Sequence, residues 1–438
     1  MGAAAPAGAE GPSTNPDGVT TAGELSAGMA GASSTGGLAV PTTPGADASS
    51  AEAGNETDGS VEEQPGIVAA TPPMGWNSWN TFQCNMDETL IENVADIMQS
   101  SGMQAAGYEY VSLDDCWMAG RDDAGNLLWN TTKFPSGIPA LAEYVHGKGL
   151  KFGIYQSANT TTCVGLYGGI NRAVAVGSLG REAQDAQTFA SWGVDLLKYD
   201  LCAGDRNSLV VMGNALRATG RPIVYSINPG NGPGDLRRPD APGWDPIAVA
   251  NMWRIEFDIN ASWTSVLSII DTDGAFARFA GPGHWNDADM LEVGKGMSVD
   301  EDRAHFSMWA ILASPLLAGN DIRSMTPVTR EILTNTDVIQ VNQDALGRQG
   351  VLVASPQPNI QIWSKELAAP NTRAVALLNR SAGPASITVQ WDALGLPAGA
   401  ATVRDLWSHT DLGSIDQAYT AQAVPSHGVV MLRVSSAP

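Results

Sequence analysis

The chain has 438 residues, 43% of them hydrophobic and 16% charged, enough apolar material for two or three domains and at least one large core. Its 24 Lys and Arg stand against 46 Asp and Glu, a formal net charge of −22 that repels phosphate backbones and anionic membranes, so no nucleic-acid partner is expected and a neutral substrate fits best. No apolar run reaches the ~20 residues needed for a membrane span, and the 4 cysteines are too few for a disulfide-built mini-scaffold.

Residues 1–66 contain no Lys, Arg, Cys or aromatic residue and are dominated by Ala, Gly, Ser, Thr and Pro. Nothing there can offset the entropy cost of ordering, so the segment is predicted to be a disordered acidic linker or tail. It lacks the basic start and continuous apolar core of a signal peptide. A stalk of this composition is common after a removed signal or lipoprotein anchor. A secreted or cell-surface (periplasmic) protein is therefore expected, its signal or anchor not present in this chain.

From Ile67 short apolar runs appear, each ending in polar or ionisable residues. In order they are Tyr110–Leu113 into Asp114 and Asp115, Phe152–Tyr155 into Gln156, Val194–Leu197 into Lys198, Tyr199 and Asp200, and Pro222–Tyr225 into Ser226. Met252-Trp253 then runs into Arg254 and Asp258, Gly283–Trp285 into Asn286, Asp287 and Asp289, and Leu316-Leu317 into Asn320 and Asp321. Helical periods lie between them, around Leu90–Met98 with Asp87 as N-cap, Leu141–Val145, Ala183–Ala190 and Asn207–Thr219. Alternating strand and helix with chemistry at strand ends predicts a (β/α)₈ TIM barrel over 67–348. An open doubly wound sheet is the runner-up, but it would need a Gly-rich phosphate loop that the sequence does not show. Beyond it, Val351–Ala354, Ile360–Trp363, Ala374–Leu378, Ile387–Trp391, Ala401–Leu406 and Val429–Val434 read as strands of a C-terminal antiparallel β-sandwich domain, 349–438.

Ionisable residues are scarce, yet they crowd the predicted strand ends. Any one such carboxylate is as readily a helix cap or a solvated group; several at one barrel end make an acidic pocket. Two carboxylates facing each other suit glycosidic cleavage, one attacking the anomeric carbon while the other protonates the leaving oxygen and then activates water. Asp200 is the better nucleophile, because Lys198 two residues earlier points to the same side of the strand and would hold it ionised. Asp258 is the better acid/base, with Arg254 at hand. Trp76, Trp79, Trp117 and Trp285 adjoin these clusters, where flat rings can stack on sugars, although Trp is also an ordinary core residue. No HxH or HExxH pairing supports a metal site, and no cofactor is expected. The cysteines Cys84, Cys116, Cys163 and Cys202 allow three pairings or buried free thiols.

The stretches Thr71-Pro-Pro-Met-Gly-Trp-Asn-Ser-Trp-Asn, Leu113-Asp-Asp-Cys-Trp, Leu197-Lys-Tyr-Asp-Leu-Cys, Trp253-Arg254…Asp258-Ile259 and Gly283-His-Trp-Asn-Asp-Ala-Asp-Met-Leu resemble, in order, glycoside hydrolase family 27. This melibiase-like family comprises retaining α-galactosidases and α-N-acetylgalactosaminidases. The resemblance implies a TIM barrel followed by an antiparallel β domain, with Asp200 as nucleophile and Asp258 as acid/base. It implies sugar binding by Trp79, Asp114, Asp115, Tyr155, Lys198, Arg254 and Asp289, and disulfides Cys84–Cys116 and Cys163–Cys202. An Asp at position 114 goes with galactose rather than β-L-arabinopyranose. One departure stands out: Asn228 occupies the place of the 2-position reader, in the run Tyr225-Ser-Ile-Asn-Pro-Gly-Asn-Gly. An Asn amide can bond a 2-hydroxyl, whereas the small Gly230 and Gly232 would leave room for an acetamido group. The expected activity is exo-hydrolysis of terminal α-D-galactosyl residues. α-N-acetylgalactosaminidase, β-L-arabinopyranosidase and a non-catalytic galactose-binding protein are the alternatives.

Overall fold

The computed structural model describes residues 66–230 and 237–437; the predicted tail, Gly66 apart, lies outside them. Strands β1 (Met74–Asn77) and β2 (Tyr110–Leu113) are followed by a small antiparallel hairpin, β3 (Met118–Arg121) and β4 (Leu127–Trp129). Then come β5 (Lys151–Ser157), β6 (Leu196–Asp200), β7 (Val224–Asn228), β8 (Met252–Arg254), β9 (Trp285–Asp287) and β10 (Leu316–Ala318). Apart from the hairpin these form one parallel sheet in the order β10-β1-β2-β5-β6-β7-β8-β9. Its two ends meet through a parallel bridge between Leu291 and Ala318, where the Leu291 amide donates to Leu317 O at 2.7 Å and the Gly319 amide to Leu291 O at 2.9 Å. The result is the TIM barrel that the strand–helix alternation predicts.

Differences from the sequence reading have local causes. β1 was not among the expected strands: two prolines precede it, and its Gly75 breaks the apolar run. Gly75 is small for a reason, since a Cβ there would lie 2.4 Å from the Tyr110 carbonyl oxygen on the neighbouring strand. β6 and β7 begin two residues later than their apolar runs. Val194 donates its amide to Phe189 O and so closes the preceding helix, and Pro222 has no amide to give a ladder. The shift carries Lys198, Asp200 and Asn228 into the strands themselves.

Helices cover the outside, among them Glu88–Ser100, Ile138–Gly147, Glu182–Ser191, Asn207–Ala218, Trp263–Asp273 and Val299–Ile311. Asp87 caps the first, its carboxylate accepting from the Leu90 amide. A capping box of Ser298 and Glu301 starts the last, which is buried without interruption from Ala304 to Ile311. A helix buried all round must be covered on every side.

The cover comes from the C-terminal strands β11 (Val351–Gln357), β12 (Ile360–Glu366), β13 (Thr372–Asn379), β14 (Ala385–Gln390), β15 (Ala400–Asp405), β16 (Thr410–Asp416), β17 (Ala418–Val424) and β18 (Val429–Ser436). Six of them form an antiparallel sheet, β11-β12-β13-β18-β15-β16, faced by the pair β14-β17. β16 and β17 were not expected: they are largely exposed and have no apolar run to betray them. Alternation along the central strands divides their side chains between two cores. Ile360, Ile362, Val375, Leu377, Leu432 and Val434 fill the sandwich, while Trp363, Ala374, Ala376, Leu378 and Met431 join the barrel's core. Among the described residues, no helix is long and apolar enough to cross a membrane.

Candidate active site

The strand ends of the barrel surround a cavity of about 440 Å³ lined by all ten predicted catalytic and sugar-binding residues: Trp79, Asp114, Asp115, Tyr155, Lys198, Asp200, Asn228, Arg254, Asp258 and Asp289. Register explains the convergence. Tyr155 pairs with Lys198 across β5 and β6, and Asp200 with Asn228 across β6 and β7, so neighbouring strands deliver them at matched height. Arg254 closes β8, and Asp289 follows β9 in a left-handed conformation, φ 75°. That strained backbone is held from all sides. Its amide donates to Asp287 Oδ1 at 2.9 Å, and its carboxylate accepts from the Met290 and Ile259 amides, each at 2.8 Å.

Asp114 is fully engaged: Oδ2 accepts from Asn77 Nδ2 and from Lys198 Nζ, both at 2.9 Å, and Oδ1 from the Asp115 amide at 2.9 Å. Asn77 was not singled out from the sequence, though it lies within the first motif. Asp115 accepts from the Cys116 and Val164 amides; burial still pushes its pKa up to about 6. Arg254, itself buried, reaches Asp289 at 2.8 Å and Asp258 at 3.1 Å.

One expectation is corrected and one alternative decided. Lys198 was read as the cation that keeps Asp200 ionised, but it bonds Asp114 and stands 4.0 Å from Asp200 Oδ2. Burial wins at Asp200, aided by the charges of Asp114 and Asp258, and its pKa rises to about 7 despite Lys198. At Asp258 the balance is reversed: partial desolvation pushes it up, yet Arg254 and Lys198 outweigh that and hold it below the ordinary carboxylate value. The second point decides between the two readings left open for the tryptophans, in favour of the core for three of the four. Trp76, Trp117 and Trp285 are buried core residues, because their rings point inward from the strands and loops that carry them; only Trp79 of the four lines the cavity.

Several buried polar atoms on the cavity wall lack any hydrogen-bond partner: Asp200 Oδ1, Tyr155 Oη and Arg254 Nε. Such atoms are costly when left unpaired, and a polyhydroxylated ligand supplies both donors and acceptors. Asn228 lines the cavity, and its Oδ1 accepts from the Gly230 amide at 3.3 Å. Gly230 lines the cavity beside Asn228, and its own backbone requires a glycine. Its φ is +68°, and a Cβ would fall 1.8 Å from Leu201 O, so the glycine serves a tight turn against the next strand end. Gly232 lies outside the described residues.

Disulfides join Cys84 to Cys116 and Cys163 to Cys202, with Cα separations of 5.3 and 5.4 Å. The second ties the loops after β5 and β6 together, and its Cys163 sulfur lies 3.8 Å from Asp200 Oδ2. Among the described residues no group of three or more His, Cys, Asp or Glu is arranged to hold a metal ion.

Comparison with known proteins agrees with this geometry. A family profile described as alpha galactosidase A matches residues 71–344, and one described as the alpha galactosidase C-terminal beta sandwich domain matches 357–434. An alpha-galactosidase from Cyamopsis tetragonoloba is 44% identical, covering 83% of this chain and 86% of its own. An alpha-N-acetylgalactosaminidase from Gallus gallus is 39% identical, covering 83% and 93%. The crystal structure of alpha-galactosidase I from Mortierella vinacea superposes with a TM-score of 0.76 at 38% identity, covering 84% of this chain and 99% of that one.

Proposed function

The chain belongs to the melibiase-like α-galactosidases of glycoside hydrolase family 27 and hydrolyses terminal α-galactosides, and from that premise we propose that it does so with retention, Asp200 acting as nucleophile and Asp258 as acid/base. The observation that carries the assignment is one buried and one open carboxylate lining the same cavity, the open one bonded to the fixed guanidinium of Arg254. Asp200 sits at the end of β6 with an unpartnered oxygen, Oδ1. Asp258 stands at the mouth, its side chain 78% exposed, where a departing group and an incoming water both pass.

In the first step Asp200 bonds to the anomeric carbon as the glycosidic C–O bond breaks, and Asp258 gives its proton to the leaving oxygen. In the second, Asp258 takes a proton from water, the water oxygen bonds to the anomeric carbon, and the ester to Asp200 breaks. In the empty cavity the proton of the pair rests on Asp200 below about pH 7, whereas the reaction needs it on Asp258. Substrate supplies the transfer. A leaving group over Asp258 strips its water and raises its pKa, and a sugar hydroxyl donating to the Asp200 carboxylate favours the ionised nucleophile.

Asp114, Asp115, Lys198, Arg254 and Asp289 serve in this reading as the fixed hydrogen-bonding shell of the galactose ring, with Trp79 and Tyr155 as its flat walls. Asn228 can bond a 2-hydroxyl from the cavity wall, and galactose is the sugar of the α-galactosidase relatives, so we take a 2-hydroxyl as the group at that position. The two disulfides support an oxidising compartment, and secretion or a cell-surface position is part of the proposal. So is the division into a catalytic barrel, 67–348, and a β-sandwich domain, 349–438.

Azide rescue tests the two roles. Asp200→Gly loses hydrolysis of an aryl α-galactoside, and azide restores turnover by forming the β-galactosyl azide. Asp258→Gly with azide yields the α-azide instead. A β anomer as the first product of the wild-type enzyme, followed by NMR, would overturn the retaining mechanism. Comparing kcat/KM on aryl α-galactoside and aryl α-N-acetylgalactosaminide checks the 2-position; a preference for galactose of about tenfold corresponds to about 1.4 kcal/mol.

A further inference from the structure

The floor of the cavity is charged, but its mouth carries two large rings in solvent. Tyr167 is 73% exposed and Phe257 57% exposed, and both line the same cavity as Asp200 and Asp258. Single exposed apolar side chains need no explanation; two aromatic ones at the opening of a catalytic cavity are a different matter.

Neither ring hangs loose. Tyr167 ends the short helix Cys163–Tyr167, and its hydroxyl donates to Cys202 O at 2.5 Å. Because Cys202 is bonded to Cys163, the ring is tied at both ends of its own turn. The Arg237 guanidinium lies 3.4 Å from the centre of the Phe257 ring, and the Phe257 amide donates to Glu256 Oε1 at 2.8 Å. The two come from loops after β5 and β8, three strands apart around an eight-stranded barrel, so they approach the opening from well-separated sides. Phe257 directly precedes Asp258, the group assigned to the leaving oxygen.

We propose that Tyr167 and Phe257 form the leaving-group subsite, two aromatic walls that stack on a pyranose ring and select galactosides whose leaving group is itself a sugar. This rests on the function proposed above. A pyranose offers flat C–H faces to aromatic rings, and rings already fixed lose little conformational freedom on contact. Polar side chains at the same opening, Asn80 and Glu256, suit a hydroxylated partner better than an acyl chain. A sugar held between the rings also covers Asp258, so the contact that selects the leaving group helps to place the proton.

The test compares melibiose, whose leaving group is glucose, with α-galactosyl fluoride, whose leaving group is a bare ion; both present the same galactose. For Tyr167→Ala and Phe257→Ala the ratio of kcat/KM on melibiose to that on the fluoride is expected to fall about tenfold each. Retained turnover of the fluoride shows that the variant is folded and its catalytic centre intact. Tyr167→Phe keeps the ring but loses the tie to Cys202, and its ratio should fall between wild type and Tyr167→Ala. An unchanged ratio in both alanine variants, whether both rates fall together or neither falls, overturns the subsite. Wild-type enzyme inactive on the fluoride would instead overturn the α-galactosidase reading and the subsite with it.

Discussion

Asp200 is where stability and chemistry pull against each other. In the folded protein its pKa is about 7, against 3.8 for an ordinary Asp, so between those values the native state keeps a proton that the unfolded chain has lost. Stability from this group is therefore intact below about pH 4, falls as pH rises toward 7, and stays reduced above it. Asp200→Asn removes the penalty. Thermal unfolding should show the variant more stable than wild type by roughly 1–3 kcal/mol at pH 7.5 and little different at pH 3.5. Activity gives the second signature: kcat/KM reports the free enzyme, so it should fall above about pH 7 as the last shared proton leaves the pair. The acid limb should lie low, because Asp258 titrates below its ordinary value. Much of this site was legible because charge is scarce in the sequence and recurs at strand ends. What could not be read was direction and distance. Lys198 is two residues from Asp200 yet bonds Asp114 at the end of another strand, and nothing around Tyr167 in the sequence marks its bond to Cys202 O, 35 residues on.

Strands and loops show the same division. The apolar runs of β2, β5 and β8 mark themselves, since burial on both faces leaves at most a small polar residue such as Ser112 within them. β1 and β16 do not: one is built around a glycine that lets the neighbouring strand approach, the other lies on an exposed edge. The loops gain their order from covalent ties. The two disulfides close spans of 32 and 39 residues, and the loop-entropy relation assigns each about 4 kcal/mol. Replacing Cys163 and Cys202 together by Ser should lower Tm measurably and reduce kcat/KM. The comparable change at Cys84 and Cys116 should lower Tm with a smaller effect on rate, because only the Cys163–Cys202 bridge abuts Asp200.

At the scale of the whole molecule the β domain is part of the barrel's packing. The helix Val299–Ile311 lies between the barrel wall and the six-stranded sheet, and the alternation of β12, β13 and β18 sends one face of that sheet into the barrel's core. The sequence displays those alternations but not which face meets what, so two domains in a row were legible and their shared core was not. Residues 67–348 expressed alone should therefore be insoluble, or compact and dye-binding without fixed tertiary signals. Lys365 on β12 marks the junction: its ammonium is buried and donates to the carbonyls of Ala310 and Asn342 at 3.2 and 3.3 Å. Burial lowers its pKa to about 7 from 10.5. The unfolded chain holds this proton up to higher pH, so stability rises from about pH 7 toward 10. Measured against Lys365→Met, wild type should gain ground over that interval in urea titrations.

The ring of strands is joined last by Leu291, through two hydrogen bonds, where β5 and β6 share a ladder of five residue pairs. Asp289, clamped to Arg254, is two residues from that join. A closed wall parts where it is least stitched, so amide exchange by deuterium should be fastest, among the barrel's buried strands, at Leu291 and its partners. Parting there carries Asp289 away from Arg254 and the cavity before the rest of the wall gives way. Heated slowly, the enzyme should lose its rate several degrees before it loses its shape.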